Sequence, residues 1–173
     1  MKMLAFDTCL DKTYVTLVKD EKFENKIILS NENNYHSAYL ISTIVEMLKF
    51  SGIEPKDLDC IAIDIGPGSF TGIRACTTVA RMLAQQLDIK AIGVSSLEIL
   101  SRIHGKSDLV ALDARKNKAY VYDGKILGAV ELEEVDSIVK DRYLITDNSL
   151  LERFNPHASE AVSYQQGEYP LGE

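Results

Sequence analysis

A glycine-rich segment, GPGSFTGIR at residues 66–74, has the residue types of a loop that binds a ligand or a partner. Its glycines allow positive φ angles and a close approach of the backbone to another group. Ser69 or Thr71 can cap a helix that begins there, and the free N–H groups of such a helix favour an anion or the carbonyl groups of a partner. The alternative is a tight strand-to-helix turn that binds nothing. We define the signature loop as Gly66, Pro67, Gly68, Ser69, Phe70, Thr71, Gly72 and Arg74.

Two phosphate-binding motifs do not fit the signature loop. A Walker A loop ends in Gly-Lys-Ser/Thr, which places a lysine on the phosphates and a hydroxyl on magnesium. The segment here ends in Gly72-Ile73-Arg74 and has neither group. A dinucleotide-binding fingerprint has the spacing G-x-G-x-x-G, which the glycines at 66, 68 and 72 do not match. The sequence therefore excludes both kinds of nucleotide site in this loop.

No set of nucleophile and base is evident elsewhere in the sequence. Ser69 is not in a G-x-S-x-G elbow, because Gly68 directly precedes it. Cys9, Cys60 and Cys76 are an odd set without C-x-x-C spacing. This pattern predicts reduced, mostly buried thiols rather than a zinc site.

The composition is that of an ordinary globular protein. The chain has 173 residues, of which 46% are hydrophobic and 26% are charged, enough for one or two small domains. Its apolar runs are too short for a transmembrane helix, and the acid at position 7 comes too early for a secretory signal. We therefore expect a cytoplasmic protein without a membrane partner. The net charge is −7 and basic residues cluster only at 115–118, so the chain is not expected to hold a nucleic acid alone.

The hydrophobic pattern around the signature loop predicts a β-β-β-α-β-α-β unit. The predicted elements are strands at 3–8, 13–18, 23–29, 60–65 and 91–94, and helices at 37–51 and 72–87. This order is that of an RNase H-like unit, a mixed sheet with helices packed against it. A shorter second part is predicted with strands at 109–112, 119–122, 125–130 and 143–146, a helix at 149–154, and a loop or disordered tail from 155. The predicted domains are 1–104 and 105–173.

The two predicted helices carry more apolar surface than the sheet needs. The helix at 37–51 has an apolar arc of roughly 160°, whereas an ordinary amphipathic helix has about 100°. The excess predicts contact with the sheet on one side and with a partner on the other. The alternative is a cover provided by another part of the same chain. The predicted interface residues are Tyr39, Ile44, Met47, Leu48, Ala75, Thr78 and Met82.

The segment GPGSFTGIR resembles the signature of the TsaB (YeaZ) family, which takes part in the bacterial synthesis of threonylcarbamoyladenosine in tRNA. Segments 4–8, 36–37, 93–98 and 112–115 resemble other motifs of the family in the same order. The resemblance implies an α/β fold of the actin/Hsp70/sugar-kinase type, built from RNase H-like halves. In this chain that fold would have a mixed sheet with flanking helices and a truncated second unit.

The resemblance also implies a function and a set of partners. It implies an accessory subunit, not itself an enzyme, that dimerises with and activates a TsaD-like threonylcarbamoyl transferase acting on adenosine 37 of tRNA. It further implies that a TsaE-like ATPase subunit docks on the complex, that the chain alone forms a homodimer, and that tRNA is contacted only through the complex. The alternatives are a small-molecule kinase or ATPase of the same superfold, and a metallohydrolase.

Two positions at which this sequence departs from related proteins argue against a catalytic role. In the superfold an acid at the end of the first strand, here Asp7, contacts magnesium and phosphate, and glycine must follow it. Cys9 and Leu10 stand there instead. The related transferase subunit carries H-x-x-x-H on its first helix, but His36 is followed by Leu40 at the second ligand position. We therefore predict no catalytic residue, no cofactor and no metal in this chain.

Overall fold

The computed structural model describes residues 1–29, 36–102 and 109–166. These residues form two compact units, the first running from Met1 to Ser96 and the second starting at Leu97. The domain boundary predicted after residue 104 falls between two described stretches, so it stays a prediction.

The first unit is a five-stranded mixed sheet with two helices. Its elements are β1 Lys2–Asp7, β2 Lys12–Lys19, β3 Lys22–Leu29, α1 Leu40–Phe50, β4 Cys60–Asp64, α2 Phe70–Leu87 and β5 Lys90–Val94. The strand order is β3-β2-β1-β4-β5, with β1 antiparallel to β2 and parallel to β4. The predicted β-β-β-α-β-α-β order is confirmed. A turn of 3-10 helix precedes α1, which therefore begins at Leu40 rather than at the predicted residue 37.

Both helices pack on one face of this sheet. Because side chains alternate along a strand, Leu4 and Phe6 of β1 lie on the same face as their register partners Leu17 of β2 and Ile63 of β4. These residues share one core with the buried residues of α1 and α2. Full burial of a leucine-sized side chain contributes about 2 kcal/mol, so this core fixes the position of both helices on the sheet.

The packing of α1 corrects part of the predicted interface. Ile44, Met47 and Leu48 are buried in the core of the first unit and are not available at the surface. The reason is that the sheet covers the side of the wide apolar arc that runs from Met47 through Ile44 to Leu48. The surplus of apolar surface is at one edge of the arc, where Ile41 and Val45 are exposed.

The second unit contains another five-stranded mixed sheet, with the order β10-β9-β6-β7-β8. Its elements are β6 Leu109–Arg115, β7 Lys118–Tyr122, β8 Ile126–Glu131, α4 Leu132–Ile138, β9 Tyr143–Thr146, α5 Asn148–Phe154 and β10 Glu160–Ser163, and α3 Ser96–Leu100 precedes them in the chain. The prediction of a loop or disordered tail is wrong for residues 160–163, which pair in parallel with β9. This strand could not be predicted because its four residues include only two apolar ones, which are too few to show the alternation of apolar and polar residues that indicates a strand.

Within the described part of the chain, no helix is both long enough and apolar enough to cross a bilayer.

Candidate functional site

The signature loop connects β4 to α2. The side chain of Ser69 is the N-cap of α2, and its hydroxyl oxygen accepts a hydrogen bond from the N–H of Gly72 at 3.3 Å. Thr71, the other candidate cap, lies inside the first turn of α2. The predicted strand, loop and capped helix are therefore confirmed.

The signature loop lies directly against the end of β1. The N–H of Ser69 donates to the carbonyl oxygen of Cys9 at 2.6 Å, and the hydroxyl of Thr8 donates to the carbonyl oxygen of Gly72 at 2.7 Å. A Cβ atom at Gly72 would lie 1.8 Å from the carbonyl oxygen of Thr8, and one at Gly68 would lie 2.3 Å from that of Cys9. Glycine is needed at these two positions because the two stretches of backbone touch.

Two buried carboxyl groups, Asp7 and Asp64, stand at the ends of β1 and β4. The N–H of Cys9 donates to Asp7 Oδ1 at 2.5 Å, and the N–H of Gly66 donates to Asp64 Oδ1 at 2.6 Å. The hydroxyl of Ser96 lies 2.7 Å from each oxygen of Asp64. Burial, and next the charge of Asp7, raise the pKa of Asp64 to about 8. At neutral pH most of Asp64 is therefore protonated.

This raised pKa predicts how stability depends on pH. Between the ordinary value of 3.8 and the folded value of about 8, the folded state holds a proton on Asp64 that the unfolded chain has lost. The contribution of Asp64 to the free energy of unfolding therefore falls as pH rises through this window, and it levels out above it. The variant Asp64→Asn should lack this slope because an amide does not titrate in this range. Its amide oxygen can still accept from the N–H of Gly66, and its amide nitrogen can donate towards Asp7.

Urea unfolding of the wild type and of Asp64→Asn at about pH 5.5 and about pH 9 measures the effect. We expect the wild type to lose at least about 1 kcal/mol relative to the variant over this range. The raised pKa would be contradicted if the difference in the free energy of unfolding between the two proteins did not change with pH. It would also be contradicted if the wild type gained stability relative to the variant as pH rises.

Two thiols lie beside these carboxyl groups. Cys9 and Cys76 are both buried, as predicted. The Cys9 thiol donates to the main-chain oxygen of Asp64 at 3.3 Å, and Cys76 Sγ accepts from the N–H of Thr8 at 3.2 Å. The hydrogen bond between the two thiols raises the pKa of Cys9 and lowers the pKa of Cys76. This pairing could not be predicted from the sequence, because spacing rules do not connect a residue just after β1 with one on α2.

The outer side of the signature loop carries an exposed aromatic ring and a cation. The side chain of Phe70 is 74% exposed, and the guanidinium carbon of Arg74 lies 5.5 Å from the centre of its ring. A cation–π contact of this kind at the surface contributes about 0.5–1 kcal/mol. Another molecule can therefore reach the loop at Phe70 and Arg74.

The rest of the predicted interface lies at or near the surface. Tyr39, Thr78 and Met82 are exposed, and Ala75 is half-buried. We define the helix surface as these four residues together with the exposed edge of α1, namely Tyr39, Ile41, Val45, Ala75, Thr78 and Met82. The side chain of His36 lies outside the described part of the structure. Leu40, at the position of the second histidine in the transferase motif, is buried in the core.

The model of the family described as TsaD, tRNA N6-adenosine threonylcarbamoyltransferase, matches residues 27–169. The chain belongs to the TsaD family. Asp64 and the signature loop lie inside the stretch that this family model matches, whereas Asp7 on β1 precedes it.

Curated relatives of this TsaD-family chain are called tRNA threonylcarbamoyladenosine biosynthesis protein TsaB. The one from Bacillus subtilis (strain 168) is 33% identical over 123 residues, which are 69% of this chain and 53% of the relative. The one from Escherichia coli (strain K12) is 30% identical over 147 residues, which are 81% of this chain and 63% of the relative. The resemblance to TsaB is confirmed, and the chain spans little more than half the length of the Bacillus relative.

Solved structures show the same fold. YeaZ from Pseudomonas aeruginosa superposes with a TM-score of 0.75 at 22% identity, covering 94% of this chain and 84% of YeaZ. A second Pseudomonas aeruginosa structure, of an uncharacterized protein with similarity to peptidase YEAZ, gives a TM-score of 0.74 at 23% identity and covers 94% of this chain and 82% of its own. The predicted fold class of this TsaD-family member is confirmed.

Proposed function

We propose that this chain is a non-catalytic subunit that dimerises with and activates a TsaD-like threonylcarbamoyl transferase in the modification of adenosine 37 of tRNA. The TsaB relatives carry threonylcarbamoyladenosine biosynthesis in their name, and the proposal extends that role to this chain. The observation that carries the proposal is the helix surface, which presents apolar side chains outside a well-packed core.

The helix surface has the properties of a helix-to-helix interface. Met82 is 48% exposed although the opposite side of α2 is packed in the core through Cys76 and Ala80. Covering apolar area gains about 25 cal/mol per Å², and the short side chains of Ala75 and Thr78 allow a second helix to come close. In the absence of the transferase, the same surface would pair with a second copy of the chain to give a homodimer.

The buried state of the acids supports an accessory rather than a catalytic role. Magnesium and nucleotide chemistry needs an acid that faces solvent or substrate, but Asp7 is fully buried and its Oδ1 accepts the N–H of Cys9. Leu40 cannot replace a metal-binding histidine and is itself part of the core. These features favour the accessory subunit over the small-molecule kinase or ATPase of the same superfold.

The charge of the chain supports an indirect contact with tRNA. With a net charge of −7, phosphate binding would have to come from other subunits of the complex. The proposal includes a TsaE-like ATPase subunit that docks on the complex, and it places the complex in the cytoplasm.

Reconstitution tests the proposal. The TsaD-like subunit, the ATPase subunit, a tRNA transcript and a threonylcarbamoyl donor are combined with and without this chain, and modified adenosine is measured by mass spectrometry. We expect modification only when this chain and the transferase are both present. Modification by this chain alone, or saturable ATP hydrolysis by the purified chain, would contradict the accessory role.

A further inference from the structure

The fold brings three side chains with metal-binding atoms to one buried point. A carboxylate oxygen of Asp7, Cys9 Sγ and Cys76 Sγ all lie within 4.8 Å of one another. Asp7 and Cys76 are completely buried and Cys9 is almost so. We infer that Asp7, Cys9 and Cys76 form a structural site for a thiophilic divalent cation such as Zn²⁺. This inference goes beyond the proposed function and does not depend on it.

The three donors suit zinc in kind and in spacing. Zinc is bound by cysteine sulfur at about 2.3 Å and by carboxylate oxygen at about 2.0–2.2 Å, in a tetrahedron. Donors around such an ion are therefore roughly 3.3–3.8 Å apart. A group whose donor atoms already lie within 4.8 Å of one another needs only small side-chain rotations to close around the ion. Magnesium and calcium prefer oxygen ligands, so the two sulfur atoms select a softer cation.

The backbone around the site already orients the donors. The N–H of Thr8 donates to Cys76 Sγ at 3.2 Å, and the N–H of Cys9 donates to Asp7 Oδ1 at 2.5 Å. Hydrogen bonds of this kind hold metal ligands in place and are part of working metal sites. The main-chain oxygen of Asp64, 3.3 Å from Cys9 Sγ, provides a further oxygen at the edge of the site.

The electrostatics of the site also favour a cation. Burying ionised carboxyl or thiolate groups is costly unless a positive charge accompanies them. Here Asp7, Asp64, Cys9 and Cys76 are buried together, and a divalent cation would allow three of them to ionise. Because Thr8 and Cys9 are the residues on which the signature loop rests, the cation would stabilise the loop without touching a substrate.

No metal is expected from the sequence, since neither the cysteines nor the histidines have a ligand spacing. Spacing motifs such as C-x-x-C or H-x-x-x-H detect only ligands that are close in sequence. The site inferred here joins β1 to α2 and can be recognised only from the fold.

Cobalt and zinc binding by the full chain test the inference. The protein is unfolded in denaturant with a non-thiol reductant and refolded with one equivalent of Co²⁺ or Zn²⁺. We expect one ion per chain, a thiolate-to-cobalt charge-transfer band in the near ultraviolet, and a higher Tm with Zn²⁺ that a chelator reverses. Cys9→Ser and Cys76→Ser should each bind roughly tenfold more weakly or worse. Cys60→Ser is the matched control and should bind like the wild type, because Cys60 lies at the start of β4 and not in the cluster.

The wild-type measurements decide the question even if a cysteine variant does not fold. Refolded wild type with native circular dichroism but no charge-transfer band and no rise in Tm would overturn the inference. Binding lost equally in Cys60→Ser would overturn it as well. So would a disulfide between Cys9 and Cys76 that forms under mild oxidation while one equivalent of Zn²⁺ is present, because a bound ion should protect both thiols.

Discussion

Replacing Gly72 by alanine should destabilise the first unit by about 3 kcal/mol or more. The added methyl group would lie 1.8 Å from the carbonyl oxygen of Thr8. The backbone cannot move away without breaking the hydrogen bond from the Thr8 hydroxyl to the Gly72 carbonyl oxygen. Helix propensity predicts the opposite sign, since alanine in a helix is favoured over glycine by about 1 kcal/mol. The sign of the change in the free energy of unfolding, from urea denaturation followed by circular dichroism, separates the two effects.

Gly124→Ala is the matched control for this substitution. A Cβ atom at Gly124 meets nothing within 4 Å, but the residue has a φ of +65°. Alanine there should cost only about 1 kcal/mol, through backbone strain. If Gly72→Ala were as stable as the wild type, or no less stable than Gly124→Ala, the close contact between the signature loop and β1 would be wrong.

The substitution Met82→Asp should abolish pairing through the helix surface and leave the fold intact. The side chain is 48% exposed in the single chain, so aspartate stays solvated there. In a helix-to-helix interface the same carboxylate would be buried without a partner. We expect a loss of about 3 kcal/mol in binding to the TsaD-like subunit, which is roughly a hundredfold in Kd. Pull-down titration measures this loss, and light scattering should show the variant as a monomer and the wild type as a homodimer.

Two further substitutions make this prediction specific. Ile126→Asp introduces the same charge at a similarly exposed apolar residue of β8, at 51% exposure, and should bind like the wild type. Ile44→Asp should unfold the chain, because Ile44 is in the core. A folded Met82→Asp variant with wild-type affinity would place the interface elsewhere. A wild type that stays monomeric at high concentration would remove the homodimer from the proposal.

The elements of the first unit could be predicted because each has a local signal. β1 and β4 are each recognised from a short apolar run, and the start of α2 is recognised from the glycines that precede it. The side of α1 that meets the sheet could not be predicted, since a wide apolar arc does not show which part the core will use. Met47 lies at one end of that arc and is buried, whereas Val45 lies at the other end and is exposed.

The buried cluster could not be predicted for a different reason. Cys9 and Cys76 meet only because the end of β1 packs against α2, and no rule on short spacing links them. The raised pKa of Asp64 likewise depends on the burial of two strand ends beside each other. In the second unit, β10 is held by its pairing with β9, a contact between segments that the four residues of β10 do not reveal by themselves.

The strand order β3-β2-β1-β4-β5 has a consequence for synthesis on the ribosome. β1 is made before the other four strands, yet it occupies the centre of the sheet. It can pair with β2 once residue 19 has emerged, but its other edge must wait for β4, which begins at Cys60. Through that interval the nascent chain carries an open β-edge able to recruit strands from other molecules. Slow translation between residues 19 and 60 should therefore increase aggregation, whereas slow translation between residue 94, where β5 ends, and residue 109, where β6 begins, should not.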